Sequence, residues 1–188
     1  MKVTVKAYAK INLMLDILSR LDNGYHDLFM VMQSVGIYDT VTVEKTDSAD
    51  IKITCDVDAI PTDERNVAYK AAEGFFAFTG MKNEGIKIDI QKRIPHAAGL
   101  AGGSADAAAV IVALDKLYET NLSEYELCKT GLLVGSDVPF CIKGGTCLSQ
   151  NTGGILSPLE PLKECFIVLA KPESGVSTAE AYAAADST

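Results

Sequence analysis

The sequence is poor in the residues from which many metal and nucleic-acid sites are built. It has two histidines, and neither stands at ligand spacing from any of the five cysteines, Cys55, Cys128, Cys141, Cys147 and Cys165. That argues against zinc, which is held by clustered Cys and His ligands. The cysteines are odd in number and include no Cys-x-x-Cys pair. The expectation is therefore reduced thiols in a cytoplasmic protein rather than a disulfide framework. Basic residues are outnumbered, 17 Lys and Arg against 25 Asp and Glu, for a formal net charge of −8. This balance argues against a nucleic-acid groove, which wants a basic face. It leaves room for a nucleotide pocket, where backbone N–H groups hold phosphates locally. No apolar run reaches membrane-spanning length, and Met1-Lys2-Val3-Thr4 does not open the apolar stretch of a signal peptide. Internal repeats, charge blocks and low-complexity segments are also missing. Two common phosphate-binding patterns are absent as well: no Gly-Lys-Ser/Thr follows a glycine loop, and the dinucleotide G-x-G-x-x-G spacing does not occur.

What is present is apolar substance and one unusual loop. Apolar residues make up 48% of 188 residues, enough for one large domain, or one domain and a fragment. Residues 95–109 follow a strand-like run, Ile86-Lys87-Ile88-Asp89-Ile90, and end inside a helical run that reaches about Glu119. Gly99, Ala101, Gly102 and Gly103 are small enough to let a ligand approach the backbone. Ser104 stands where a helix is expected to begin, with Asp106 in its first turn. Free N–H groups and the positive end of a helix dipole converge at such a point, which suits phosphate. A glycine-rich turn before an alanine-rich packing helix is the simpler explanation of the same residues.

The rest of the chain reads as alternating strands and capped helices. Over residues 2–18, Val3, Val5, Ala7, Ala9, Ile11, Leu13, Leu15 and Ile17 fall on one face, and Lys10 and Asn12 share the other. By pattern alone Lys10 and Asn12 are a solvated outer face. Asn23-Gly24 signals a hairpin turn, followed by Tyr25-His26 and a second strand through Tyr38-Asp39-Thr40-Val41-Thr42-Val43. Ile51–Cys55 alternates as a short strand. Asn66 caps a helix through Phe78 that Gly80 ends. The helix expected at residues 104–119 turns Ala107, Val110, Ile111, Leu114, Leu117 and Tyr118 to a core. Ser123 and Glu126 form a capping box for a helix to about Leu133. Gly135-Ser136-Asp137-Val138-Pro139-Phe140 breaks it, and Asp137 is locally a turn or cap carboxylate. Residues 149–163 read as a possible link between two domains. Residues 164–170 read as a buried strand, and a helix starts over residues 176–182.

Taken together, Pro95, Gly99, Leu100, Gly102, Gly103, Ser104, Ala107 and Ala108 match the spacing Pro-x-x-x-Gly-Leu-x-Gly-Gly-Ser-x-x-Ala-Ala, and this string resembles the second motif of the GHMP kinases. Ala101 and Ala105 depart from the family's commonest residues there. Lys10-x-Asn12, Gly24-Tyr25-His26, and Gly135-x-Asp137-Val138-Pro139-Phe140 with Gly144-Gly145-Thr146 resemble further motifs of one branch. Gly154 stands where that branch usually has glutamate. The resemblance implies an α+β fold: a GHMP kinase N-terminal domain, ribosomal protein S5 domain 2-like, over residues 1–158, and the beginning of a ferredoxin-like C-terminal domain over residues 159–188. It runs from Ala7 to Tyr182 and meets no third glycine-rich motif. It thus implies an enzyme cut short, whose turnover as this chain alone is doubtful.

The resemblance also implies chemistry. The branch phosphorylates the C2 hydroxyl of 4-diphosphocytidyl-2-C-methyl-D-erythritol with ATP and Mg²⁺ in the non-mevalonate isoprenoid pathway. Asp137 is then the catalytic base and Lys10 its electrostatic partner. Pro95, Ala98, Gly99, Leu100, Ala101, Gly102, Gly103 and Ser104 wrap the phosphates of ATP, and Ser104 is the hydroxyl that meets the metal. Asn66 contacts adenine, a role one side chain can combine with capping, and Lys92 serves the ATP side. Asn12 orients the acceptor, and Tyr25, His26 and Tyr182 read its cytosine. Asp106 and Asp39 are the reserve candidates for the base. Another GHMP kinase, acting on homoserine or mevalonate, and an RNA-binding module on the same fold are the rival readings. The Gly-Tyr-His segment speaks against the first and the acidic composition against the second.

Overall fold

The structure is a computed structural model that describes residues 1–22, 24–171, 181–182, 184 and 186. Asn23 of the expected turn, and most of the helix expected over residues 176–182, lie outside the described residues. The elements follow in the order β1 (Lys2–Arg20), β2 (His26–Lys45), β3 (Ile51–Cys55), α1 (Val67–Thr79), β4 (Ile86–Gln91), α2 (Gly102–Tyr118), α3 (Glu124–Leu132), α4 (Val138–Lys143), β5 (Thr146–Asn151) and β6 (Ile155–Pro158).

The long strand β2 is the axis of a mixed α/β fold. One edge pairs antiparallel with β1 along its length. The other edge forks: residues 28–33 pair with β5 and residues 40–45 with β4, while β3 joins β4 in parallel and β6 joins β5. At the fork the ladder is replaced by specific bonds. The Ser34 N–H donates to the Gly145 carbonyl at 2.9 Å. The buried Asp39 carboxylate accepts from the N–H groups of Arg93 and Ile94 at 2.5 and 2.8 Å. The fork thus anchors the chain just ahead of the glycine loop.

The main core packs Val41, Val43, Ile86, Ile88 and Ile90 of the sheet against Phe75 of α1 and Val110, Ile111 and Leu114 of α2, all buried. Each such side chain contributes roughly 1.5–3 kcal/mol of burial. A smaller cluster, Leu28, Met30, Met32, Phe140 and Cys147, fills the space under α4.

Four expectations from the sequence are corrected. The alternation in β1 does not run through: register shifts fall between Tyr8 and Lys10 and between Asn12 and Met14, as β-bulges impose. Ala9 and Lys10 are consecutive buried residues, while Leu13 and Leu15 are left 47% and 44% exposed. Helix α2 starts at Gly102, with Ala101 as its cap in the left-handed region, so Ser104 is inside the helix. Residues 149–163 are not simply a link, because β5 and β6 form a hairpin that ends at Pro158. Residues 165–170 join no strand pair, and Phe166 and Val168 are 103% and 92% exposed; an apolar run becomes a strand only where a ladder partner exists.

Candidate active site

The loop between β4 and α2 carries positive φ at Ala97, Gly99 and Ala101. At Ala101 the left-handed conformation costs an alanine roughly 1–2 kcal/mol, a strain glycine avoids. A Cβ on Gly102 would lie 3.2 Å from Ile94 Cγ2, and one on Gly103 would lie 3.2 Å from Val67 Cγ2. The absence of side chains there lets the start of α2 press against both the end of the β4 segment and the start of α1. Asn66 caps α1 as expected: its Oδ1 accepts from the Ala68 N–H at 2.9 Å, and its Nδ2 donates to the Pro61 carbonyl at 2.6 Å. Both ends of the Asn66 amide are therefore engaged by backbone. Two helix N-termini, each a source of free N–H groups, border one cavity of about 1340 Å³. Pockets for one small ligand span roughly 300–1,000 Å³, so this cleft is wider than one such ligand requires.

The cavity brings most of the expected residues together. Pro95, Ala98, Gly99, Leu100, Ala101, Gly102 and Gly103 line it, as do Asn66, Lys92, Lys10, Asn12, Tyr25, His26, Asp137 and Tyr182. Ser104 is half-buried on α2 and is not among the lining residues. The Lys10 N–H donates to the Leu100 carbonyl at 3.1 Å, which ties the glycine loop to β1. The almost buried Lys10 ammonium stands 3.6 Å from Asp137 Oδ2 and donates to Asn12 Oδ1 at 3.3 Å. Asp137 occupies the cap position of α4 but makes no cap hydrogen bond, so its carboxylate is turned to Lys10 instead of to its own helix. Burial pushes the neighbouring Cys141 thiol up to about 12, which removes it as a nucleophile.

Lys92 is held more tightly than the sequence suggested. Its ammonium donates to Asp39 Oδ2 at 2.5 Å and to Asp106 Oδ2 at 2.7 Å, and all three groups are nearly buried. Burial pushes the Asp106 carboxyl up to about 7, against the opposing pull of the Lys92 ammonium. Asp39 is the fully buried acid of β2, and a carboxylate buried there must find partners.

At the other end, the His26 and Tyr182 rings stack with centroids 4.8 Å apart and 15° between planes. His26 Nε2 lies 2.7 Å from Asp186 Oδ1. The hydrogen bond from His26 holds the Asp186 carboxyl below the usual carboxylate range. Tyr25 is 66% exposed. Tyr182 thus lies on His26, not opposite Tyr25. No local signal in the sequence marked Asp186. Among the described residues no group of three His, Cys, Asp or Glu side chains could hold a metal, and no helix is long and apolar enough to cross a membrane.

This arrangement of glycine loop, lysine and aspartate has relatives. Residues 66–145 match the family of GHMP kinases N terminal domain. The chain carries a GHMP kinase N-terminal domain. It is 48% identical to a "4-diphosphocytidyl-2-C-methyl-D-erythritol kinase" of Clostridium perfringens over 95% of the chain and 62% of that protein. It is 44% identical to the like-named protein of Lachnoclostridium phytofermentans over 96% of the chain and 62% of that protein. The chain therefore spans less than two-thirds of the length of these curated relatives. Among solved structures, one of 4-(cytidine 5'-diphospho)-2C-methyl-D-erythritol kinase superposes with a TM-score of 0.70 at 34% identity, covering 84% of this chain and 55% of that one. Homoserine kinase from Cytophaga hutchinsonii superposes at 0.69 with 20% identity over 97% of this chain and 59% of that one, a likeness of fold alone. The family match covers α1, β4, the glycine loop and α2 to α4.

Proposed function

We propose that this GHMP kinase domain serves transfer of the γ-phosphoryl group of ATP to the C2 hydroxyl of 4-diphosphocytidyl-2-C-methyl-D-erythritol, a step of the non-mevalonate isoprenoid pathway. The observation that carries the reading is the Lys10–Asp137 pair, 3.6 Å apart, in the same cavity as the glycine loop and bonded to that loop through Leu100. Phosphoryl transfer asks a protein for positioning and charge neutralisation more than for covalent chemistry. Asp137 takes the hydroxyl proton as the C2 oxygen bonds to phosphorus. The bond to the β,γ-bridging oxygen breaks and ADP leaves. Lys10 offsets the negative charge shared by Asp137 and the transferring group. The N–H groups of residues 99–104 hold the phosphates, Asn66 and Lys92 serve the nucleotide side, and Asn12 orients the acceptor. Tyr25, His26 and Tyr182 receive its cytosine by stacking and hydrogen bonding.

Magnesium fits this site as an ion carried in on the nucleotide. The described residues lack a three-ligand cluster, and Mg²⁺ bound with nucleotides keeps phosphate and water ligands beside one or two protein groups. Ser104 is the hydroxyl expected to meet it. Bound there, the ion supplies neutralisation of the β- and γ-phosphates. Residues 1–158 form the nucleotide-binding part in this reading, and residues 159–188 begin a second domain. The five unpaired cysteines are compatible with the reducing cytoplasm.

The test is single-turnover phosphorylation of the cytidyl substrate, with homoserine and mevalonate as competing acceptors and the phosphorylated product followed by ³¹P NMR. Transfer to the cytidyl substrate alone is expected. Preferential transfer to either competitor would assign the domain to another GHMP kinase.

A further inference from the structure

Two buried side-chain polar atoms among the described residues lack a hydrogen-bond partner: the Tyr118 hydroxyl and Asp106 Oδ1. Tyr118 ends α2, roughly 18 Å along the helix from Asp106 at 1.5 Å per residue, so the two are unrelated. Asp106 is 3% exposed and lines the cavity beside Gly102 and Gly103. Its other oxygen is already satisfied by Lys92, and Lys92 is shared with Asp39. Two carboxyl groups compete for one ammonium at the start of α2, and burial disfavours the ionised form of Asp106 while no further cation is near among the described residues. A bare carboxylate there repels the ligand the loop is shaped for, and a buried acceptor without a donor or cation is unfavourable. A hard divalent cation removes both problems, because it binds carboxylate and phosphate oxygens together.

We propose that Asp106 Oδ1 is a protein ligand of the divalent cation that accompanies the nucleotide phosphates. Lys92 and Asp39 are positioning residues: they hold Oδ2, leaving Oδ1 as the free donor, in the way outer partners orient metal-binding carboxylates. Ser104 lies two positions earlier on the same helix, about 200° around its axis at 3.6 residues per turn. That agrees with its place off the cavity lining. The inference rests on the nucleotide reading above.

The experiment is calorimetric titration of the chain with a non-hydrolysable ATP analogue, in EDTA and in Mn²⁺. Mn²⁺ should tighten binding to the wild type. Asp106→Asn keeps an acceptor for Lys92 and should cut that gain at least about tenfold, the low end of what disturbing even an outer partner of a metal site costs, with affinity in EDTA unchanged or improved. Asp106→Cys should transfer the gain from Mn²⁺ to Cd²⁺, following ligand softness. Should either variant fail to fold, ¹³C-aspartate-labelled wild type with bound Mn²⁺ and analogue should show electron–nuclear coupling to a carboxylate carbon. An undiminished Mn²⁺ gain in Asp106→Asn, or no such coupling, overturns the proposal while the nucleotide reading stands. No binding of the analogue by the wild type in either condition overturns both.

Discussion

The Lys10 ammonium and the Asp137 carboxylate stand 3.6 Å apart, one from a bulged strand and the other from the cap position of a short helix that it does not cap. That relationship predicts separable kinetic effects. Asp137→Asn keeps the shape and removes the proton acceptor, so the single-turnover transfer rate should fall about 10²–10⁴-fold, with acceptor affinity nearly kept. Lys10→Met should slow transfer as well. The double variant should cost less than the product of the two single effects, because the groups act as a unit. A rate near wild type for Asp137→Asn would move the base elsewhere.

Gly103 predicts a steric result. A Cβ there meets Val67 Cγ2 at 3.2 Å, and a β-branched side chain adds bulk between α2 and the start of α1, at the cavity wall. Gly103→Val should weaken ATP binding by at least tenfold, roughly 1.4 kcal/mol. Gly103→Ala should do so by less. Equilibrium binding of ATP, measured apart from turnover, checks both, and unchanged affinity in the valine variant would remove the phosphates from this loop.

Asn66 predicts a stability effect that can be told from a binding effect. Asn66→Ala removes the cap bond to Ala68 and the donor to Pro61, and should cost about 1 kcal/mol of unfolding free energy. Asn66→Ser retains a cap oxygen and should recover most of that in urea denaturation. If both variants lose nucleotide affinity equally, Asn66 touches the base directly. If affinity follows stability, its contribution is the shape of the α1 start.

The stacked His26–Tyr182 pair predicts selectivity and a pH response. Base stacking is worth about 1–3 kcal/mol per ring, so Tyr182→Ala or Tyr25→Ala should raise the acceptor KM roughly ten- to a hundredfold and leave that of ATP nearly unchanged. Equal use of a uridine analogue by the wild type would count against the His26 contact. Asp186 is held below the ordinary carboxylate range by His26. The contact therefore contributes fully above that range and is lost as pH falls through the lowered value. The His26 ring signals in NMR should report that loss at acid pH, and Asp186→Asn should abolish the response.

Local chemistry in the sequence already determined several features: the α1 boundaries, from Asn66 and the left-handed Gly80; the Ser123–Glu126 capping box of α3; and the glycine loop. Caps and turns are decided by neighbours in the chain, so residue order suffices for them. The start of α2 escaped because a left-handed alanine, Ala101, caps it where Ser104 is the better cap by residue type. Tertiary structure alone decided the rest. Bulges carried Lys10 inward, the fork of β2 placed Asp39 on Lys92, α4 turned Asp137 to Lys10, and the lack of a ladder partner left residues 165–170 outside the sheet. Each of these depends on pairings between segments far apart in sequence. Register, burial and charge compensation there are properties of both partners together, which no local pattern contains.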